Sequence, residues 1–237
     1  MFSMLRGVRS PYARWVLLMT MWLSVASCWT AGYAAAPPPL GQKDLAVWRP
    51  AAGTWYALHS ADGAATATPW GVSGDIPVPA DYDGDDQMDL AVWRPADGIW
   101  YVLNSTTGTA TATPWGVLGD IPVPGDYDGD ERTDLAVWRP AEGKWYILHS
   151  ADGTVTVTSW GLPGDIPVPA DYDGDGHTDL AVWRPAEGKW YILHSATGTA
   201  TVIPWGVPGD SPVPLAVDVD DAHRVIIPVP PARSRAN

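Results

Sequence analysis

The chain has 237 residues, 46% of them hydrophobic, and a formal net charge of −13. This length allows a sizeable hydrophobic core, and the acidity argues against nucleic acid or an anionic membrane surface as a partner. We therefore expect a folded domain in which many of the acidic residues are concentrated in a few local sites.

Residues 1–35 predict an export signal. Three arginines precede the apolar run 15–26, which has the length of a secretory signal core and is short for a membrane span. Cys28 is the only cysteine, and it ends a Val-Ala-Ser-Cys string that resembles a bacterial lipobox. Two alternatives follow: cleavage near Ala34, or lipidation at Cys28 as the one membrane contact. In both, the mature chain is secreted, extracellular or periplasmic, and has no disulfide.

Residues 36–230 read as one repeat domain, followed by a short tail, 231–237. The string DLAVWRP occurs four times, each copy 45 residues from the next, and residues 134–150 and 179–195 are identical. A fixed period of this length is typical of repeat architectures, in which each unit forms one small supersecondary structure.

Each unit predicts four β-strands, and no helical period follows the leader. In the last complete unit, residues 180–184 and 190–194 are branched and aromatic runs joined by a glycine-containing turn, and residues 199–205 form a third run. The run 166–170 carries two prolines two positions apart, so their missing N–H groups lie on one side and the strand pairs on the other side only. We predict an all-β fold, a β-propeller of four (alternatively five) 45-residue, four-stranded blades.

The two ends of the array break the pattern. The first unit lacks the strand and loop that precede DLAVWRP in the other units, whereas residues 211–215 supply a surplus strand of that type. Three alternatives remain open: closure of a ring of four by residues 211–215, a degenerate fifth blade using residues 225–229, or an open arc that closes by dimerisation. Residues 216–224 predict no well-formed metal site.

An aspartate-rich loop precedes DLAVWRP in three units. Each loop has aspartates at positions 1, 3, 5 and 9, and oxygen ligands at this density suit Ca²⁺. We predict about three Ca²⁺ sites, because four carboxylates this close repel one another strongly without a cation. The predicted ligands are Asp81, Asp83, Asp85, Asp89, Asp126, Asp128, Asp130, Asp134, Asp171, Asp173, Asp175 and Asp179.

The string DYDGDGHTDLAVWRP, residues 171–185, resembles FG-GAP/VCBS repeats and the calcium-binding repeats of the integrin α-subunit N-terminal propeller. This resemblance covers about residues 38–229. It implies a β-propeller with calcium in the hairpin between the first two strands of a blade, and it implies the same twelve aspartates as ligands. Asp86 and Glu131 stand where the pattern has a second glycine.

Tryptophan and arginine recur once or more in every unit and give the candidate ligand-binding residues. The tryptophan that precedes glycine at a strand end is a candidate for stacking on sugars, and the arginine of DLAVWRP can stack on these tryptophan rings or pair with acidic residues of the blade. These candidates are Trp70, Trp115, Trp160, Trp205, Arg49, Arg94, Arg139 and Arg184.

We expect a binding or adhesion module and no enzyme. The units have equal length and short turns, so the sequence offers no insertion that would form a lid or a deep pocket, and it contains no familiar catalytic motif. The expected partner is a glycan or, alternatively, a cell-surface protein that uses the chain as a scaffold. A polysaccharide-degrading enzyme is the third alternative.

Overall fold

The computed structural model describes residues 40–41 and 44–213. The predicted leader, Cys28, the run 225–229 and the tail lie outside these residues. All regular structure in the described part is β. The strands are β1 (Leu45–Arg49), β2 (Thr54–Leu58), β3 (Ala65–Pro69), β4 (Ile76–Pro77), β5 (Leu90–Arg94), β6 (Ile99–Leu103), β7 (Ala110–Pro114), β8 (Ile121–Pro122), β9 (Leu135–Arg139), β10 (Lys144–Leu148), β11 (Val155–Ser159), β12 (Ile166–Pro167), β13 (Leu180–Arg184), β14 (Lys189–Leu193) and β15 (Ala200–Pro204).

The strands form four antiparallel sheets, one for each unit. The first sheet has three strands, β1-β2-β3, and the other three have four strands each, such as β4-β5-β6-β7. The all-β class and the propeller blade are thereby confirmed. Among the described residues the first unit has three strands, and its sequence before Asp44 lacks the Ile-Pro-Val-Pro stretch that forms the inner strand in the next three units.

The inner strands pair on one side only, as their prolines predict. Ile166 and Pro167 face Trp183 and Val182 of β13. Beyond this two-residue strand, the Val168 amide donates to the Ala181 carbonyl at 2.8 Å. The prolines remove the donors that a neighbour on the other edge would need, so this edge of each sheet ends here.

Both faces of each central sheet are buried, because successive units pack face to face. In β5, Leu90 and Val92 join a cluster with Trp55 and Trp70 of the preceding unit. Trp93, on the opposite face, packs in a cluster that includes Val137 of the following unit. The uninterrupted apolar character of LAVWR follows from this arrangement, because alternate side chains point to opposite faces of a strand.

The described residues form an open array and no closed ring. Leu45 and Val47 of β1 are exposed, whereas their equivalents Leu90 and Val92 are buried. Trp205 at the other end is exposed as well. In the part of the chain described here, no helix has the length and apolar character needed to cross a membrane.

Candidate metal centre

The aspartate loops connect each inner strand to the second strand of the same sheet. Their tight path needs left-handed backbone at the sixth position, where Gly176 has a φ of 87° in the fourth unit. Asp86 and Glu131 hold the same position in the other loops with φ values of 62° and 64°. The three loops therefore share one backbone conformation, although only one of them has the residue that adopts it without strain.

The first aspartate of each loop organises the backbone. Asp81 accepts hydrogen bonds from the amides of Gly84 and Asp86, both at 2.7 Å. Asp126 and Asp171 do the same with the amides three and five residues later. These bonds curl the loop so that the next carboxylates converge.

The carboxylates at positions 1, 3 and 5 lie together. In each loop, one oxygen from each of the three is within 4.8 Å of the others. Asp83 Oδ1 is buried without a hydrogen-bond partner among the described residues. Burial, followed by repulsion from Asp85, raises the pKa of Asp83, and burial followed by repulsion from Asp134 and Asp179 raises the pKa of Asp128 and of Asp173. Each loop thus holds a carboxylate that a cation would stabilise.

The fourth aspartate occupies a different position. Asp134 is fully buried; its Oδ1 accepts from the Ser150 amide at 2.7 Å and its Oδ2 from the Tyr127 amide at 3.0 Å. Asp89 and Asp179 make the equivalent bonds. The structure groups Asp134 with Asp128 and His149, and Asp179 with Asp173 and His194, rather than with the carboxylates at positions 1 and 5. The fourth aspartate thus fastens the loop to the following hairpin.

These loops fit Ca²⁺. They offer hard carboxylate oxygens, a buried oxygen without a partner at Asp83 and a backbone already held in a curl. The first, second and third aspartates of each loop would hold the ion, and the fourth lies beside the second. The ion would supply the positive charge that offsets the repulsion among these carboxylates.

The three loops differ at their seventh position. Arg132 pairs with Asp130 at 3.0 Å, and Asp130 also accepts from the Ser150 hydroxyl. Gln87 and His177 hold this position in the other loops. The loop at residues 126–134 therefore already contains a cationic group beside its third carboxylate.

Neighbouring loops are in direct contact along the array. The Thr133 amide donates to the Asp81 carbonyl at 2.8 Å, and the Thr178 amide donates to the Asp126 carbonyl at 2.6 Å. A Cβ atom at Gly129 would lie 2.3 Å from the His177 ring, so the loops pack closely. A cation in one loop would therefore stiffen the contact with the next unit.

A chain of Asp, His and Thr begins at the aspartate of DLAVWRP in three units. His149 contacts Asp134 through Nδ1 at 3.3 Å and Thr156 through Nε2 at 2.8 Å. The same order of groups occurs in a nucleophilic triad. Here it recurs at His59 and His194 and links the aspartate of DLAVWRP to the outer strand, while Asn104 replaces the histidine in the second unit and bonds to Thr107.

The structure places the candidate tryptophans at the junctions between units. Trp70, Trp115 and Trp160 each donate their Nε1 hydrogen to a tyrosine carbonyl of the next unit, at 3.1–3.2 Å. Trp205 follows the last described sheet and is exposed. The ring edges of the first three are thereby engaged with protein.

The candidate arginines stack on tyrosines of their own sheets. Arg49, Arg94, Arg139 and Arg184 lie 4.1–4.3 Å from the ring centroids of Tyr56, Tyr101, Tyr146 and Tyr191. The last three also pair with Asp75, Asp120 and Asp165 of the preceding turn, at 2.7–2.8 Å. Acidic partners are thus present for three of the four arginines, whereas the rings on which all four stack are those of tyrosines and not the expected tryptophans.

Sequence reasoning missed the aspartates of these ion pairs. Asp75, Asp120 and Asp165 are buried, although each sits in a short Gly-Asp turn that looks solvated. The repeat period could have indicated them, because an aspartate occurs at this position of every unit, including Asp210. In three of these four cases, the aspartate pairs with an arginine 19 residues later in the chain.

These features define the class of the protein: a tandem-repeat, all-β protein built from propeller blades, with an aspartate loop between the first two strands of three of its sheets. Residues 126–182 match the family model described as FG-GAP-like repeat. This stretch of the chain therefore contains an FG-GAP-like repeat, in agreement with the resemblance of its loops. No curated protein sequence matches the chain.

Two solved structures have partly similar folds. One is a catalytically inactive virginiamycin B lyase from Staphylococcus aureus with quinupristin, at a TM-score of 0.46 and 11% identity, with 75% of this chain and 58% of that chain covered. The other is apo AztD from Citrobacter koseri, at a TM-score of 0.43 and 13% identity, with coverage of 74% and 50%. This chain thus covers between half and three fifths of the length of these proteins. The family match, and not these structures, identifies the repeats.

Proposed function

We propose that this protein is an exported, calcium-stabilised propeller module that binds another protein on the cell surface. The observation that carries this proposal is a row of exposed aliphatic side chains at one repeat position, Val72, Val117, Leu162 and Val207. Because they occupy equivalent positions in successive units, they lie on the same side of the array. Leu118 extends the row and is also exposed.

The turns that carry this row are rigid. In each, the amide of the aliphatic residue donates to the aspartate three positions later at 2.9 Å. In the three internal turns, that aspartate is buried and fixed by an arginine of the next unit. A surface held in this way loses little conformational entropy when a partner binds. A regular series of apolar residues on fixed turns supports recognition of a protein surface with matching apolar contacts.

Calcium has a structural part in this proposal. It would neutralise the loop carboxylates, fix the hairpin between the inner and second strands and reinforce the contact between neighbouring loops. Binding to the folded chain alone then adds to the free energy of unfolding.

The test compares two double variants with the same added charge. Leu118→Glu with Leu162→Glu alters the aliphatic row, whereas Val155→Glu with Val157→Glu alters equally exposed residues of β11. We expect wild type and the β11 variant to retain a partner from the surface fraction of the producing cell in the presence of calcium, and the row variant to lose it. Equal retention by both variants would reject the aliphatic row as the binding surface.

A second candidate function is carbohydrate recognition. A cleft of about 250 Å³ opens between the second and third units and is lined by Tyr82, Asn104, Thr111, Thr113 and His149, among others. Its amide, hydroxyl and imidazole groups suit a polyhydroxylated ligand, and repetition of such clefts would compensate for weak single sites. A glycan array followed by tryptophan-fluorescence titration tests it, with Thr111→Val as a variant of similar volume. No response on the array, or unchanged affinity in Thr111→Val, would reject this cleft.

A binding role rather than catalysis is also part of the proposal. The Asp–His–Thr chain recurs in three units and connects the aspartate of DLAVWRP to the outer strand, which supports a structural role. Export remains a prediction from residues 1–35. Mass spectrometry of the mature N-terminus distinguishes cleavage near Ala34 from lipidation at Cys28.

A further inference from the structure

The junctions between successive units follow one template, repeated three times. The preceding unit contributes a tryptophan, the buried aspartate of its turn and the inner strand that joins the next sheet. The following unit contributes a valine, an arginine and a tyrosine carbonyl. At the first junction, Trp70 Nε1 donates to the Tyr101 carbonyl at 3.2 Å, and Asp75 pairs with Arg94 at 2.7 Å.

The first unit has the groups that a following unit contributes to a junction, and in the described structure no other unit packs against them. Val47 is 63% exposed, whereas its equivalent Val92 is 0% exposed. Among the described residues β1 pairs with β2 alone, so its other edge lacks the inner strand that borders β5. Arg49 stacks on Tyr56 and bonds to its hydroxyl, and it pairs with no carboxylate among residues 40–41 and 44–213.

The last described residues carry the other half of the template. Trp205 is 52% exposed, compared with 3% for Trp70. Val213 is 69% exposed, whereas its equivalent Val78 is 6% exposed and donates its amide to Ala91. Asp210 accepts from the Val207 amide at 2.9 Å, as Asp75 does from Val72, and within the described residues no arginine pairs with it.

We propose that the exposed face of the first unit binds residues 205–213 of a second copy of this chain, head to tail. Three features of the template indicate that residues 205–213 are the segment that binds. Arg49 and Asp210 have opposite charges at the positions that pair internally, Val47 and Trp205 are apolar at the positions that pack internally, and Ser211–Val213 matches the inner strand that β1 lacks.

The contact continues an interface that the chain already uses. By the internal register, Ser211 and Pro212 lie opposite Trp48 and Val47 of the other copy, as Ile76 and Pro77 lie opposite Trp93 and Val92. The Val213 amide then donates to the Ala46 carbonyl, as Val78 does to Ala91. Addition of a strand to an open sheet edge is a common mode of recognition.

The two faces differ from one another, so the contact is heterologous. Each copy has one face of each kind, and two copies that close a ring leave no end face exposed. Val207 of the aliphatic row lies in this segment, but its equivalent Val72 stays 41% exposed at a formed junction, so the assembly leaves the row accessible and either proposal can fail alone.

The experiment measures the mass of the mature chain in solution by sedimentation and light scattering across a concentration series. We expect assemblies larger than one chain that dissociate on dilution. Arg49→Asp and Asp210→Arg should each raise the dissociation constant by about tenfold or more, because each places like charges at the junction. The combined Arg49→Asp, Asp210→Arg variant should restore assembly, because the pair is then reversed.

A second pair of variants controls for general effects of surface charge. Val47→Arg should abolish assembly, whereas Val157→Arg, at a similarly exposed valine of β11, should leave it unchanged. Circular dichroism establishes that each variant folds. A wild-type chain that remains a monomer, as it would if its own ends closed on each other, overturns the proposal. Assemblies that persist in Val47→Arg, or that the charge-reversed double variant fails to restore, overturn it as well.

Discussion

The guanidinium of Arg94 donates to both carboxylate oxygens of Asp75, at 2.7 and 2.9 Å, across the junction between the first and second units. Asp75 is buried, and the hydrogen bond to it raises the pKa of Arg94. A paired geometry of this kind is specific to arginine, because its two donors match the carboxylate.

We predict that Arg94→Ala destabilises the fold strongly. The substitution leaves the Asp75 carboxylate buried without its partner, at a cost of about 3 kcal/mol. Urea unfolding at neutral pH measures the change. Lys144→Ala is the control, because its pair with Glu142 is exposed on both sides and should contribute little to stability. Similar losses in both variants would contradict the role assigned to the Arg94–Asp75 pair.

Removal of calcium should lower the melting temperature. At a free calcium concentration of about 100 times the dissociation constant, one site adds about 2.7 kcal/mol to the free energy of unfolding. Differential scanning calorimetry with calcium and with a chelator gives the shift. In Asp83→Asn, Asp128→Asn and Asp173→Asn combined, the shift should shrink while the calcium-free protein becomes more stable, because repulsion in each loop falls. An unchanged shift in this variant would show that the loops are not the sites.

The loop at residues 126–134 should bind calcium more weakly than the loop at residues 171–179. Arg132 already pairs with Asp130 and competes for that carboxylate. Arg132→Gln, which introduces the residue found at this position in the second unit, should tighten the weakest site in a calorimetric titration. Gln87→Glu is the comparison variant at the equivalent position of the neighbouring loop. An identical titration of wild type and Arg132→Gln would contradict competition between Arg132 and calcium for Asp130.

Two residues hold left-handed backbone where glycine is favoured. Asp86→Gly and Glu131→Gly should each stabilise the calcium-free protein by about 0.5–1 kcal/mol, because the strain at positive φ is relieved. Gly176→Ala should destabilise it by a similar amount. Ala61→Gly, in an exposed turn outside the left-handed region, should give no gain in the same urea experiment. A loss of stability in both glycine variants would contradict strain at these positions.

Acid should weaken the first unit through Asp44. The hydrogen bond from the Ser60 amide, helped by His59, lowers the pKa of Asp44 to about 2. A carboxyl group whose pKa is lowered by folding stabilises the fold above its ordinary pKa of 3.8, and this contribution disappears as the pH falls towards 2. Urea midpoints with chelator should therefore fall less between pH 5 and pH 2.5 in Asp44→Asn than in wild type. The exposed-turn variant Asp97→Asn should behave like wild type.

Local features of the sequence predicted the repeat unit, its strands and the aspartate loops. The 45-residue period made equivalent positions of the four units recognisable. The prolines of residues 166–170 indicated a strand paired on one side. Contacts between units were not predictable in this way. Nothing next to Trp115 indicates that its Nε1 bonds to the Tyr146 carbonyl, 31 residues later in the next unit. The fourth loop aspartate was likewise assigned with the others, although Asp134 holds two amides from different parts of its unit.

The 19-residue spacing between the turn aspartate and its arginine is the same at all three junctions. A duplicated or deleted 45-residue unit therefore brings or removes one complete junction and leaves the two terminal surfaces unchanged. Gene duplication can lengthen or shorten such an array without new compensating substitutions, as the identical residues 134–150 and 179–195 illustrate. Natural variants of this chain should accordingly differ in length by whole units.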